Sequence, residues 1–221
     1  MTEKLAVTIW NYKGGVGKLT IALILAEIAA QNGLKVLAID LDEQQNFSAT
    51  LKLTGTLYPS IEIRNTLTPE CAKEDYSLYV LDTHPSKDET VKAALQFADI
   101  VLVPVLGDFN SIMNLRTVFD FIMSCGVGEG QIALVKNGMN KYRISSEVEE
   151  ALSVQGWASA GRLPQSNILT RNIASGLSWD KFMRSDIREP FIALYAKIWS
   201  AYRKMIAGRF TELWEERPCR D

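Results

Sequence analysis

The sequence predicts an α/β protein built on one doubly wound, mostly parallel sheet, with helices at its C-terminal end. Three observations carry that expectation. Short apolar runs alternate with segments of helical periodicity, the pattern of successive βαβ units. The runs are near-continuous rather than alternating, as in strands buried on both faces. Finally, a glycine-rich segment joins the first run to the first helical stretch, and acidic residues close two of the later runs, at the sheet edge where open α/β folds bind ligands.

The elements follow in order. Residues 5–10, LAVTIW, read as the first strand, and residues 17–31 as a strongly apolar helix stopped by Asn32-Gly33. Residues 36–40, 78–82, 100–104 and 131–135 read as the second to fifth strands, and Leu163-Pro164 follows a sixth. Residues 186–216 read as one or two long helices. In 221 residues there is no linker, internal repeat or low-complexity stretch, so residues 1–221 are expected to form a single domain.

Composition narrows the class. Apolar residues make up 47% and charged residues 23%, the balance of a soluble globular protein. A formal charge of −2 provides no global field for nucleic acid, so any polyanion contact must come from a local basic patch. Cys71, Cys125 and Cys219 are few and odd in number, which fits reduced thiols in a cytoplasmic protein better than a disulfide frame or a zinc site. The lone His84 cannot build a metal centre, and as a polar loop residue it is expected to be solvated rather than to act as a general base. No apolar run approaches the roughly 20 residues needed to cross a bilayer. The first apolar run begins within five residues of the start, so no signal peptide is expected.

Residues 11–20, NYKGGVGKLT, hold the most specific chemistry. Between a strand and a helix, Gly14, Gly15 and Gly17 let the backbone turn its N–H groups inward to cradle phosphate oxygens. The helix beginning near Gly17 adds the positive end of its dipole, and Lys18 adds a point charge for the β- and γ-phosphates. The general phosphate loop opens with glycine where this chain has Tyr12, and a second lysine, Lys13, follows.

The segment resembles the deviant Walker motif of the ParA/MinD superfamily, Lys-Gly-Gly-x-Gly-Lys-Thr. Its Asn-x-Lys-Gly-Gly opening is more similar to ParA partition ATPases than to MinD. The resemblance implies a P-loop fold, ATP and Mg²⁺ as ligands, and a signature lysine, Lys13, that crosses a dimer interface to the partner's nucleotide. Nucleotide binding would fall to Lys13, Gly14, Gly15, Val16, Gly17, Lys18, Leu19 and Thr20. Asn137 and Pro164 sit where relatives contact adenine. One departure matters: the family's threonine or serine after the loop lysine, whose hydroxyl binds Mg²⁺, is Leu19 here. Thr20 lies about 100° further around the helix and cannot simply take over. ATP binding is expected to survive, with magnesium affinity and hydrolysis weakened.

Asp40 and Asp42, at the end of the second strand, are expected on one side of it. The stretch 40–46 is similar to the family's Asp-x-Asp-Pro-Gln, with Glu43 in place of proline. That likeness implies that Asp42 orients or activates the attacking water and that Asp40 supports the magnesium. Asp82, followed by Thr83-His84-Pro85-Ser86, resembles the Walker B acid and its switch, usually Asp-Thr-Pro-Pro, and would hold magnesium directly or through water. Lys13, Lys18 and Asp42 would carry the catalysis.

Towards the C-terminus, Lys181, Arg184, Arg188, Arg203 and Lys204 concentrate positive charge among aromatic residues whose helical spacing fits a core stripe. ParA-type proteins bind DNA without sequence preference through late helices, so these five residues are the implied phosphate contacts. The resemblance as a whole implies a cytoplasmic, nucleoid-associated partition ATPase. ATP would bridge two subunits into a sandwich homodimer on non-specific DNA, and a ParB-like, centromere-binding partner would stimulate hydrolysis. Two alternatives stand beside it: a nucleotide-binding switch that hardly hydrolyses, because of Leu19, and a MinD-like positioning ATPase at a membrane. The acids and proline of residues 212–218, ELWEERP, argue against the amphipathic terminal helix that a membrane role needs.

Overall fold

The computed structural model describes residues 3–55, 57–139, 150, 152, 156–209 and 212–215. Its strands are β1 (Leu5–Ile9), β2 (Val36–Leu41), β3 (Ile61–Arg64), β4 (Leu78–Thr83), β5 (Ile100–Leu106), β6 (Ile132–Met139) and β7 (Ser159–Pro164). They form one sheet in the order β3-β2-β4-β1-β5-β6-β7, with every neighbouring pair parallel. The helices are α1 (Lys18–Gln31), α2 (Asn46–Leu53), α3 (Glu89–Phe97), α4 (Phe109–Met113), α5 (Leu115–Ser124), α6 (Asn167–Ala174) and α7 (Ser185–Ile206).

Burial explains the layering. β1, β2 and β4 are buried at every residue, and successive side chains serve opposite faces. Leu5, Val7, Ile9, Val80 and Leu102 pack on one side with α1, whose Leu23, Ile24 and Leu25 are all buried. A helix apolar all round belongs inside a protein, and α1 is covered by α2 and α7 as well as by the sheet. On the opposite face, Val101, Val103 and Val105 meet Val91 and Leu95 of α3 and Val118 and Ile122 of α5. Burying one such aliphatic side chain contributes about 1.5–3 kcal/mol.

β3 has no counterpart among the strands the sequence predicts. It is a four-residue edge strand, IEIR, with two half-buried isoleucines and two charged residues, too short and too polar to read as a buried run. The third to sixth predicted strands are β4 to β7. The C-terminal stretch forms a single helix, α7, despite Pro190 in its interior. Cys71 and Cys125 are free and buried, and Cys219 lies outside the described residues, as do Arg217 and Pro218. Among the described residues, no helix is long and apolar enough to cross a membrane.

β1 positions the site. Its two neighbours are β4 and β5, so connections leave its carboxyl end in opposite directions and open a crevice there. The loops following β1, β2, β4 and β5 meet at that crevice.

Candidate nucleotide site

Asn11 shapes the start of the loop after β1. Its Nδ2 donates to the Pro104 carbonyl (2.9 Å), and its Oδ1 accepts from the Lys13 N–H (3.0 Å). Val16 is buried and anchors the far side, while Gly15 and Gly17 adopt φ values of 73° and 95°, a region that favours glycine. Asn137, at the end of β6, donates from Nδ2 to the Val16 carbonyl (2.8 Å). A Cβ on Gly17 would lie 2.1 Å from that nitrogen, so loop and β6 interlock. Lys18 Nζ is folded into the loop and donates to the Asn11 carbonyl (3.2 Å). Burial pulls its pKa down, with Asp82 and Asp42 pulling the other way.

The three acids separate into different roles. Asp40 and Asp82 are register partners on adjacent parallel strands and so point the same way. Asp40 Oδ2 accepts from the Ser48 N–H (2.7 Å) and Oδ1 from the Asp42 N–H (3.2 Å). Both oxygens therefore hold the turn into α2, each bond contributing about 1.5–3 kcal/mol. β2 ends at Leu41, so Asp42 lies beyond the strand rather than alternating with Asp40, and its Oδ1 accepts from the Gln44 N–H (2.9 Å). Next to it, Gln45 takes a positive φ of 50°, a strained conformation at the mouth of the site. Asp82 is buried, and its Oδ1 has no hydrogen-bond partner. Burial, with Asp40 second, raises its pKa to about 7 against the pull of Lys18.

A glycine-rich loop at the switch point of a parallel sheet, with two lysines and an orphaned strand-end acid, has counterparts among known proteins. A family model described as an AAA domain matches residues 4–68. The chromosome-partitioning ATPase Soj of Thermus thermophilus is 29% identical over 140 residues, covering 48% of this chain and 56% of Soj. The chain thus spans about half the length of that curated relative. A putative plasmid partition protein from Borrelia burgdorferi, solved with AMPPNP bound, superposes with a TM-score of 0.74 at 21% identity, covering 89% of this chain and 98% of that one. The cell division ATPase MinD of Pyrococcus furiosus does so with a TM-score of 0.70 at 17% identity, covering 89% and 98%. The chain thus carries an AAA-domain match in its N-terminal third and shares its fold with ParA/MinD proteins.

Lys13, the lysine expected to cross a dimer interface, is engaged within its own chain. Lys13 Nζ lies 3.0 Å from Asp108 Oδ1, 3.3 Å from Asp108 Oδ2 and 3.0 Å from Ser111 Oγ. Asp108 is also the N-cap of α4, accepting from the Ser111 N–H (2.8 Å). Sequence reading missed both partners, although an aspartate such as Asp108 just before an apolar helical stretch is itself a helix-start signal. Thr20, Asn137 and Pro164 line one cavity of about 400 Å³ beside the loop, together with Asp108. Three of the residues expected to bind nucleotide are thereby brought together, in a volume suited to a small ligand.

Leu19 packs half-buried against the core cluster of α1 and the sheet. Among the described residues, no group of three or more His, Cys, Asp or Glu side chains is arranged to hold a metal. A magnesium ion, which keeps several waters and leans on substrate phosphates, does not need one. The unpartnered Asp82 oxygen fits that kind of partial ligation, whereas each Asp40 oxygen already accepts one backbone N–H.

His84 departs from the solvated loop residue that the sequence suggests. Its Nδ1 is 2.9 Å from the Leu41 carbonyl, and its Nε2 meets Asp88 Oδ2. Burial lowers the ring's pKa, but the Asp88 and Leu41 contacts outweigh it and the net shift is upward. The Ser86 hydroxyl and the Val91 N–H hold Asp88 well below the usual carboxylate range.

The C-terminal cations differ in availability. Lys181 and Arg184 precede α7 and Arg188 lies in its first turn, and Arg184 donates from Nε (2.9 Å) and Nη2 (2.8 Å) to Asp186. Arg203 pairs with Glu3 (3.1 Å). Lys204, expected to face DNA, is instead buried and donates to the carbonyls of Glu212 (2.7 Å) and Glu215 (2.6 Å). It holds the turn after α7, so a phosphate cannot reach it without unpacking that turn.

Proposed function

We propose that this chain is a ParA-type partition ATPase. It binds ATP with Mg²⁺, forms a sandwich dimer on non-specific DNA, and is reset when a centromere-binding, ParB-like partner stimulates hydrolysis. The observation that carries this reading is the interlocked loop at the switch point, with Lys13, Lys18, Asp42 and Asp82 gathered around it. Inward N–H groups of residues 14–18 and the Lys18 ammonium bind the phosphates. Lys13, released from Asp108 and Ser111, reaches the nucleotide of the second subunit. Asp42 orients the attacking water in line with the γ-phosphate, which is a task of positioning and charge stabilisation. Magnesium, when bound, supplies neutralisation of charge on the phosphate oxygens, and Asp82 would hold it with Asp40 behind. Lys181, Arg184, Arg188 and Arg203 are the proposed phosphate contacts on DNA. Relatives named Soj and partition protein support the partition reading, and the action would be cytoplasmic, on the nucleoid.

A second reading, a nucleotide-gated switch with little hydrolysis, is favoured by Leu19, whose side chain packs into the core where a hydroxyl would serve the metal. Mg²⁺-dependent phosphate release, with and without non-specific DNA, separates the two when the chain is compared with Leu19→Thr. Turnover in the unmodified chain supports the ATPase. Turnover only in Leu19→Thr assigns the switch. Absence of both turnover and ATP binding in the two proteins overturns the proposal.

A further inference from the structure

The segment from His84 to Asp88 is tied to three other parts of the site. Trp10, the last residue before the phosphate loop, donates its indole N–H to the Ser86 carbonyl (3.0 Å). Lys87 Nζ lies over the rings of Tyr12 (5.5 Å) and Phe121 (5.2 Å). His84 bridges the Leu41 carbonyl, immediately before Asp42, to Asp88, the N-cap of α3, whose Oδ1 accepts from the Val91 N–H (3.0 Å). The Ser86 hydroxyl donates to the same Asp88 oxygen (2.7 Å). A backbone carbonyl and an ionised carboxylate only accept hydrogen bonds, so both ring nitrogens of His84 donate. A proline at this position would have no side-chain donor and could make neither bond.

We propose that His84 is a positioning residue that locks the loop after β2 to the N-terminus of α3, so that Asp42 and the segment after Asp82 move as one body. The inference rests on the reading of the site as ATP-hydrolysing, but the coupling itself is a property of the unliganded fold. A displaced acid next to a reacting centre loses rate more than it loses substrate affinity, because binding is carried elsewhere, here by the phosphate loop.

Two measurements on the full chain test it. In amide hydrogen exchange, His84→Ala is expected to speed exchange in residues 41–48 and in residues 84–91 together, with α1 unchanged. Loosening of residues 84–91 alone overturns the coupling, whether or not the chain hydrolyses ATP. In steady-state turnover, His84→Ala should lower kcat by roughly 10- to 100-fold with KM little changed. His84→Gln, whose amide restores an N–H donor, should recover part of the loss, and His84→Pro should not. A kcat for His84→Ala within about twofold of the unmodified chain, or equal losses in Ala and Gln, rejects the positioning role. If the unmodified chain shows no turnover, the ATPase reading fails and the exchange experiment alone decides the inference.

Discussion

Glu27 offers a sharp test of how the core is held together. It lies inside α1 with no exposed surface, accepting from the Thr54 hydroxyl (3.0 Å) and from the Trp179 N–H (3.1 Å). Burial raises its pKa from 4.5 to about 7, against those hydrogen bonds. The folded state thus holds the proton more tightly than the unfolded state. Stability from this group is fully present below about pH 4.5 and is lost as pH rises through about 7. At roughly 1.4 kcal/mol per pH unit, the loss across that window is on the order of 3 kcal/mol. Glu27→Gln removes the titration while keeping the contacts. The amide oxygen can accept from Trp179, its NH₂ can donate to Thr54, and the Thr54 hydroxyl already has the Leu51 carbonyl at 3.3 Å as an alternative acceptor. In urea unfolding between pH 5 and 8, the variant should match the unmodified chain within about 1 kcal/mol at pH 5 and exceed it by about 1–3 kcal/mol at pH 8. A constant difference across that range would refute the assignment of a buried, proton-holding Glu27, and comparison by difference cancels the parallel contribution of Asp82.

The remaining predictions concern the site and the C-terminal helix. Gly17→Ala drives a Cβ into Asn137 at a φ of 95°, so ATP affinity should fall by at least about tenfold and stability by about 1–3 kcal/mol. Recovery of affinity in the Gly17→Ala, Asn137→Ala pair to the unmodified value would show that the clash alone, without backbone strain, is the cause. Asp108→Asn keeps the cap on Ser111 but removes the charge that retains Lys13. Because that pair is partly exposed and worth up to about 1 kcal/mol, ATP-dependent dimerisation by light scattering should tighten by up to about fivefold. Unchanged dimerisation would mean that release of Lys13 is not part of assembly. Lys204→Ala should destabilise by about 1–3 kcal/mol and leave DNA affinity unchanged, whereas Lys181→Ala should reduce the salt slope of DNA binding by about 1 without affecting stability. The reverse assignment in fluorescence anisotropy and thermal melts would reject the division of roles.

What the sequence made legible was local. Residues 5–31 announce strand, loop and helix because apolar run, glycines and helical period are contiguous, and the structure has β1, the phosphate loop and α1 there. Asp82 was equally readable, since a lone acid ending an apolar run marks a strand end. What could not be read depends on where the backbone turns. That Asp40 also holds the turn into α2 shows only once β2 stops at Leu41 and the following N–H groups reach its oxygens. Lys204 looks like a surface cation until residues 212–215 fold back over it. Lys13 finds Asp108, and His84 finds Leu41, only through sheet order, which places sequence-distant loops side by side. β3 left little signal because an edge strand succeeds by being short and charged.

That edge has a consequence for assembly. At the outer margin of the sheet, the Arg64 guanidinium is gripped by Glu62 (2.6 Å) and Glu74 (2.5 Å), closing a rim of alternating charge along the strand. Another chain laying a strand there would have to strip water from those ions without replacing their partners. Growth by sheet continuation is therefore blocked at this margin. A polymer of this chain, should one form, would have to be stitched through other faces, and fibre diffraction would show no stack of strands extending across subunits at β3.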